Sequence, residues 1–395
     1  MWRLSFLFHE MAFGLLSIFL PLYIIRIGGS LIDIGVMTST ALFLSIPASF
    51  FWGYICDKTG HYKRYILVSF LASSTILFLL TFSTDIGLLI ILYVVMAIFH
   101  VAHEPPKNVL IAELYSRDEW EKSFALYEGL TELGWLIGLI IGTFVSSVGF
   151  DAKTTLFTCC GLNLLAFILS AFLIKDPALV FERGLVSIEK SVDLTYRGIT
   201  LASKILDGFH INGSLKMENL YAFCSGLSLF SFATSTLFTP LPIFFSQSLH
   251  LPTNVVYFVF ILNSSAGAAG YFLASGKLNQ QEEKTRLQRT VLSRSLLVFL
   301  LALSTFISIH TTLFATLVLT LMGFAYALYH VCALSLSMEL IPAGKAGLFD
   351  VLISLGSAGG AYLGPFIAQT YGFVYVFLLS GALFLLAYAS FKTFS

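Results

Sequence analysis

Charge is what this sequence has least of. Asp, Glu, Lys and Arg make up 11% of its 395 residues, where a soluble domain carries about 25%. Lys plus Arg and Asp plus Glu stand at 22 each, so no net field draws a nucleic acid or an acidic partner. Cysteine is scarce too. Cys56, Cys159, Cys160, Cys224 and Cys332 all fall in apolar runs, and none forms a C-x-x-C pair. That argues against a disulfide framework or a thiolate metal site, and the thiols read as small buried hydrophobes. No G-x-x-x-x-G-K-[ST] loop occurs, so ATP is not the expected fuel. Extended polar sequence is confined to residues 175–219. What remains is apolar: 57% hydrophobic, with 39 phenylalanines. Most of such a chain must lie in lipid.

A helix crosses the hydrocarbon with about 20 apolar residues. Twelve stretches qualify: 4–25, 31–55, 65–83, 86–112, 122–147, 154–174, 220–245, 253–275, 291–310, 312–338, 346–370 and 373–391. Six lie on each side of the polar break. The expected architecture is therefore an all-α membrane protein of twelve helices in two six-helix bundles, 1–174 and 220–395. Segment 175–219 alternates apolar residues (Leu179, Leu185, Ile188, Val192) with charges, as an amphipathic linker on the membrane surface would. With the N-terminus cytoplasmic, nineteen of the 22 Lys and Arg face the cytoplasm. Arg294 is among them, counted as cytoplasmic although it falls in the first turn of span 9. Arg26 and Lys153 face outward, and Lys107 stays in the membrane. This bias predicts a multi-pass cell-membrane protein with both termini cytoplasmic. The halves look related. Glu113-Leu114 ends span 4 as Glu339-Leu340 ends span 10, and Gly149-Phe150 corresponds to Gly372-Phe373. Span 5 carries Gly134, Gly138 and Gly142, and span 11 carries Gly356, Gly360 and Gly364; small residues at this spacing pack helices closely.

The loop between spans 2 and 3 reads Gly53-Tyr54-Ile55-Cys56-Asp57-Lys58-Thr59-Gly60-His61-Tyr62-Lys63-Arg64. Gly53 would let another helix approach, and Gly60 permits a turn with positive φ. A lone carboxylate at a membrane boundary is costly unless paired. Lys58, Lys63, Arg64 or a helix N-terminus of the other half could answer Asp57. The spacing of Gly53, Asp57, Gly60 and the basic residues resembles the signature loop of the major facilitator superfamily, and the six-plus-six pattern extends the resemblance over the whole chain. It implies two bundles that rock about a central site. It also implies that Asp57, with Glu113 as a further member, latches the halves in the outward-open state, and that spans 1, 4, 7 and 10 line the cavity.

Ionisable groups inside spans cost about 2.5–3.5 kcal/mol at mid-depth, so each raises a functional hypothesis. Span 4 holds His100, His103, Glu104, Lys107 and Asn108 around Pro105-Pro106, which should bend it. His100 with Glu104, and His103 with Lys107, are spaced i, i+4 and could share one inward face. Span 1 adds His9 and Glu10, span 5 adds Glu128 and Glu132, span 8 adds Asn263, and span 10 adds Tyr326, Tyr329 and His330. Three readings of the span 4 cluster stand open: a substrate or proton site, an inert Glu104–Lys107 pair, or a metal bound by His100, His103 and Glu104. No fourth metal ligand is placed by the sequence. The expected function is secondary transport of a small solute by alternating access, coupled to protons, by a monomer that needs no cofactor. A receptor or scaffold on the same fold is the alternative. An intramembrane enzyme is not expected, because no nucleophile–base pair is present.

Overall fold

The computed structural model describes residues 2–114, 120–149, 151–176, 220–274, 280–305, 311–340 and 347–394. Twelve long helices result: α1 Arg3–Arg26, α2 Leu31–Thr59, α3 Tyr62–Leu80, α4, α5 Trp120–Val148, α6 Ala152–Leu173, α7 Leu220–Phe238, α8 Thr253–Ala274, α9 Gln280–Ser304, α10 Thr311–Leu340, α11 Gly347–Thr370 and α12 Phe373–Phe394. Helix α4 is broken. It runs Ile86–His100, tightens into a 3₁₀ turn at Val101–His103 and resumes over Glu104–Leu114. Among the described residues, ten helices are long and apolar enough to cross a bilayer on length and composition. Most of segment 175–219 lies outside the described residues.

Local chemistry sets the helix ends. Ser30 and Asp33 form a reciprocal capping box at the start of α2, satisfying two N–H groups that have no partner within the helix. Gly60 ends α2 at φ 65°, its N–H bonded to the Cys56 carbonyl at 2.9 Å. Only glycine adopts that conformation without strain. Asp85 and Asp151 cap α4 and α6. Past Phe238, Pro240 and Pro242 interrupt α7, which continues as a π-helical turn over Phe244–Ser248. Helix α9 departs most from expectation. It begins at Gln280 rather than near residue 291, and so includes the charged run through Arg289.

Each half repeats one packing scheme. In the first, α1 packs on α5 and α6, α3 on α4 and α6, and α2 on α4. Shifted by six helices, α7 packs on α11 and α12, α9 on α10 and α12, and α8 on α10. Glycines set the closest pair in each half. A Cβ on Gly134 or Gly138 would strike the carbonyls of Leu7 or Met11 in α1. A Cβ on Gly356, Gly360 or Gly364 would strike those of Ser228, Phe232 or Thr236 in α7. The same register in both pairs is the structural form of the internal repeat.

The halves meet through α2 against α11 and α5 against α8, which exchange under the same six-helix shift. Specific contacts gather at the end remote from the chain termini. The Ile32 N–H donates to Gln369 Oε1 at 2.9 Å. The Tyr257 hydroxyl donates to the Leu15 carbonyl at 2.8 Å. A Cβ on Gly35 would touch Pro365 and the Ala361 carbonyl.

Candidate functional site

Between the halves lies a cavity of about 460 Å³, within the range of small-molecule sites. Leu139, Phe238 and Phe260 bound it toward the sealed end, and Glu104, Tyr127 and Tyr271 toward the termini. Both halves contribute polar groups to an otherwise aromatic wall. Of the residues expected from sequence, Glu10, Glu104, Lys107, Glu132, Asn263 and Tyr326 line it. Glu10 sits about 10 Å along α1 from Arg3, taking 1.5 Å per residue.

The break in α4 rearranges the cluster predicted there. Pro105 and Pro106 contribute no N–H, and the Glu104 N–H closes a tight turn onto the Val101 carbonyl. Carbonyls freed by the break find side-chain donors: Trp52 Nε1 donates to Ile98 at 2.8 Å, and Ser69 Oγ to His100 at 2.9 Å. The expected i, i+4 pairs do not form. Instead Glu104 accepts from His103 Nε2 at 3.2 Å through one oxygen and from Lys107 Nζ through the other. Lys107 is 7% exposed and stands 4.8 Å over the Tyr127 ring. The Glu104 side chain keeps 42% exposure.

Behind this pair lies a histidine chain that sequence reasoning left incomplete. Asn163 Nδ2 donates to the Cys159 carbonyl at 3.1 Å, which orients its amide. Asn163 Oδ1 must then accept from His9 Nδ1, 2.6 Å away. In a neutral His9 the other nitrogen, Nε2, accepts from His100 Nδ1–H, 3.0 Å away. The two rings are nearly parallel, 19° apart. His9, His100 and His103 place one ring nitrogen each within 4.8 Å of one another. The His9–His100 contact has the geometry of a shared proton. Lys107 beside Glu104 opposes a cation there.

Other expected residues fall elsewhere. Neither His100 nor His103 lines the cavity. Tyr329 is buried and stacks on Phe230 with centroids 3.4 Å apart, and His330 packs against Tyr271 and Tyr326. Asn263 directs its amide to the Leu319 carbonyl at 2.6 Å, tying α8 to α10. Among the described residues Asp57 has no ion pair. Lys58 stands over the Tyr54 ring, and Lys63 donates through Nζ to the Ala171 carbonyl and through its N–H to Asp176. Arg64 is exposed. The close approach expected at Gly53 is absent, since a Cβ there would meet only Pro105 at 3.9 Å. The side chains of Glu113 and Glu128 lie outside the described residues.

Arg294 corrects the charge count. Its charge does not face the cytoplasm. It lies in α9, fully buried, in the wall of the cavity. Its signal in the sequence was an arginine one residue ahead of the apolar run Leu296–Leu303.

Comparison with known proteins follows the same outline. A family model described as Major Facilitator Superfamily matches residues 4–349. Among curated proteins, the chain is similar to Quinolone resistance protein NorA of Staphylococcus aureus, at 25% identity over 176 residues, 45% of each chain. It is also similar to Multidrug resistance protein MdtG of a Rahnella strain, at 28% over 173 residues, 42% of this chain and 40% of that one. The chain thus spans less than half the length of these relatives. Among solved structures it resembles the human organic anion transporter MFSD10 (TM-score 0.67, 17% identity, 99% and 97% coverage). It also resembles a D-xylose-proton symporter (0.69, 15%, 98% and 96%) and the peptide transporter POT (0.73, 11%, 100% and 92%). At these identities the structural likeness concerns the fold.

Proposed function

Because the chain belongs to the Major Facilitator Superfamily, we propose that it is a secondary active transporter that moves a small organic solute by alternating access, coupled to protons. One observation carries this reading. A cavity with polar groups from both halves lies between two repeats whose small-residue and hydrogen-bond contacts, among the described residues, gather at the end remote from the termini. Rocking one half on the other would open that end and close the opposite one. The exposed Asp57, without an ion pair, fits a form whose termini end stands open. With both termini cytoplasmic, as the loop charges favour, this form faces inward. A monomer in the cell membrane suffices, since each chain holds both halves. The relatives NorA and MdtG are named for drug resistance, which favours an organic solute, as does the aromatic wall.

In this reading the proton is carried by Glu10 and Glu132, two carboxylates that line the cavity on α1 and α5. Glu132 is exposed there. A carboxyl that alternately meets water and an aromatic wall gains and loses its proton with that change. The test is uptake of a radiolabelled compound panel into proteoliposomes, with and without an imposed pH gradient. Wild-type protein should accumulate at least one compound when the gradient is present. Glu132→Gln should lose that accumulation and keep downhill exchange. No movement of any compound by wild-type protein would favour the receptor reading. Gradient-driven accumulation by Glu132→Gln would clear Glu132 and leave Glu10.

A further inference from the structure

The guanidinium of Arg294 is fully buried in the cavity wall. Nη1 donates to the Met322 carbonyl at 3.4 Å. Among the described residues, Nε and Nη2 have no hydrogen-bond acceptor. Those two nitrogens form one edge of the guanidinium, the edge that receives both oxygens of a carboxylate side by side. No ion pair with Arg294 exists among the described residues. Instead its carbon lies 5.1 Å from the Phe230 and Phe384 ring centres, 5.3 Å from Tyr326 and 5.8 Å from Phe238. Ring faces attract the charge but accept neither N–H in the plane of the fork. A buried cation with two unmet donors is costly. A purely structural arginine would have its donors used, as the neighbouring Ser295 has, donating to the Gly381 carbonyl at 2.8 Å. Two of the rings, Tyr326 and Phe238, also line the cavity, and Tyr326 is 37% exposed. Arg294 thus sits in the cavity wall beside the Tyr326 ring, and movement of that ring would widen access to the unmet edge.

We propose that Arg294 is an anion-binding group of this cavity, uncovered by Tyr326, and that the solute carries a carboxylate on an apolar body. This rests on the transporter reading of the same cavity. The arginine supplies bidentate recognition, and the surrounding rings accept the apolar part. Its cost to the empty protein is repaid only when the anion arrives.

Thermal shift on the full-length purified protein tests the proposal with two probes of equal shape, naphthoate and naphthamide. Naphthoate should stabilise wild-type protein at about tenfold lower concentration than naphthamide, the ratio expected of one charge-assisted contact. Arg294→Met should lose this preference, while its ligand-free melting temperature stays level or rises. Arg294→Lys keeps the charge without the fork and should bind naphthoate about fivefold more weakly than wild type. Equal response of wild-type protein to both probes would overturn the proposal, as would a preference retained in Arg294→Met. A lower ligand-free melting temperature for Arg294→Met would show a structural role and overturn it too. The transporter reading is judged separately: naphthoate preference without movement of any compound into proteoliposomes would sink that reading and leave the anion site standing.

Discussion

Glu104→Gln should destabilise the protein by about 3 kcal/mol, read from denaturation in detergent. The charge on Lys107 is buried, and Glu104 is its ion-pair partner. Removing one member of a buried pair costs about 3–5 kcal/mol, because the other charge stays behind in low dielectric. The lower figure applies here, since Glu104 itself is half-open to the cavity. Adding Lys107→Met to Glu104→Gln should recover most of the loss, because it removes the buried charge that Glu104 answered and keeps the volume. A Glu104→Gln protein as stable as wild type would show that Lys107 does not depend on this carboxylate. Failure of the double change to restore stability would mean that the Lys107 head group holds other structure, of which the contact with Tyr127 is one part.

Asp57→Asn should cut transport at least tenfold with little change in expression. Asp57 is exposed, so neutralising it removes nothing from the form described here. In the opposite form the termini ends close, and Asp57 would meet a helix N-terminus of the other half. A charge-assisted hydrogen bond contributes about 1.5–3 kcal/mol. Its loss shifts the balance of the two forms by roughly ten- to a hundredfold. Thiol labelling of single cysteines near Asp57 should rise in the variant, as that end stays open longer. Unchanged labelling and wild-type transport would reduce Asp57 to a topology signal.

Where sequence and structure part, the reason is physical in each case. Hydropathy located eleven of the twelve spans to within a few residues, because lipid demands apolar side chains. Helix α9 extends past the hydrocarbon, so its charged first turns carry no apolar signal although its backbone hydrogen bonds continue. Arg294 was counted among the cytoplasmic charges by the same logic. Nothing in a linear count tells an arginine ringed by Phe230, Phe384, Tyr326 and Phe238 from one in water. The Gly60 turn was legible because a single residue's backbone freedom decides it. The pairing within α4 was not. An ideal helix sets His100 beside Glu104, but the two prolines force a 3₁₀ turn that advances the register and leaves Glu104 to His103 and Lys107. His9 joins His100 only through tertiary packing of α1 on α4 and α6, and Asn163, which fixes its tautomer, lies in α6.

The central claim is that the two halves separate and rejoin at alternate ends. The most direct measurement is transport by a cysteine-free protein carrying Ile32→Cys and Gln369→Cys, residues that meet across the sealed end. A short reducible cross-linker between them should abolish transport, and reduction should restore it, while either single cysteine treated alike keeps full activity. Undiminished transport by the cross-linked protein would contradict alternating access through this interface.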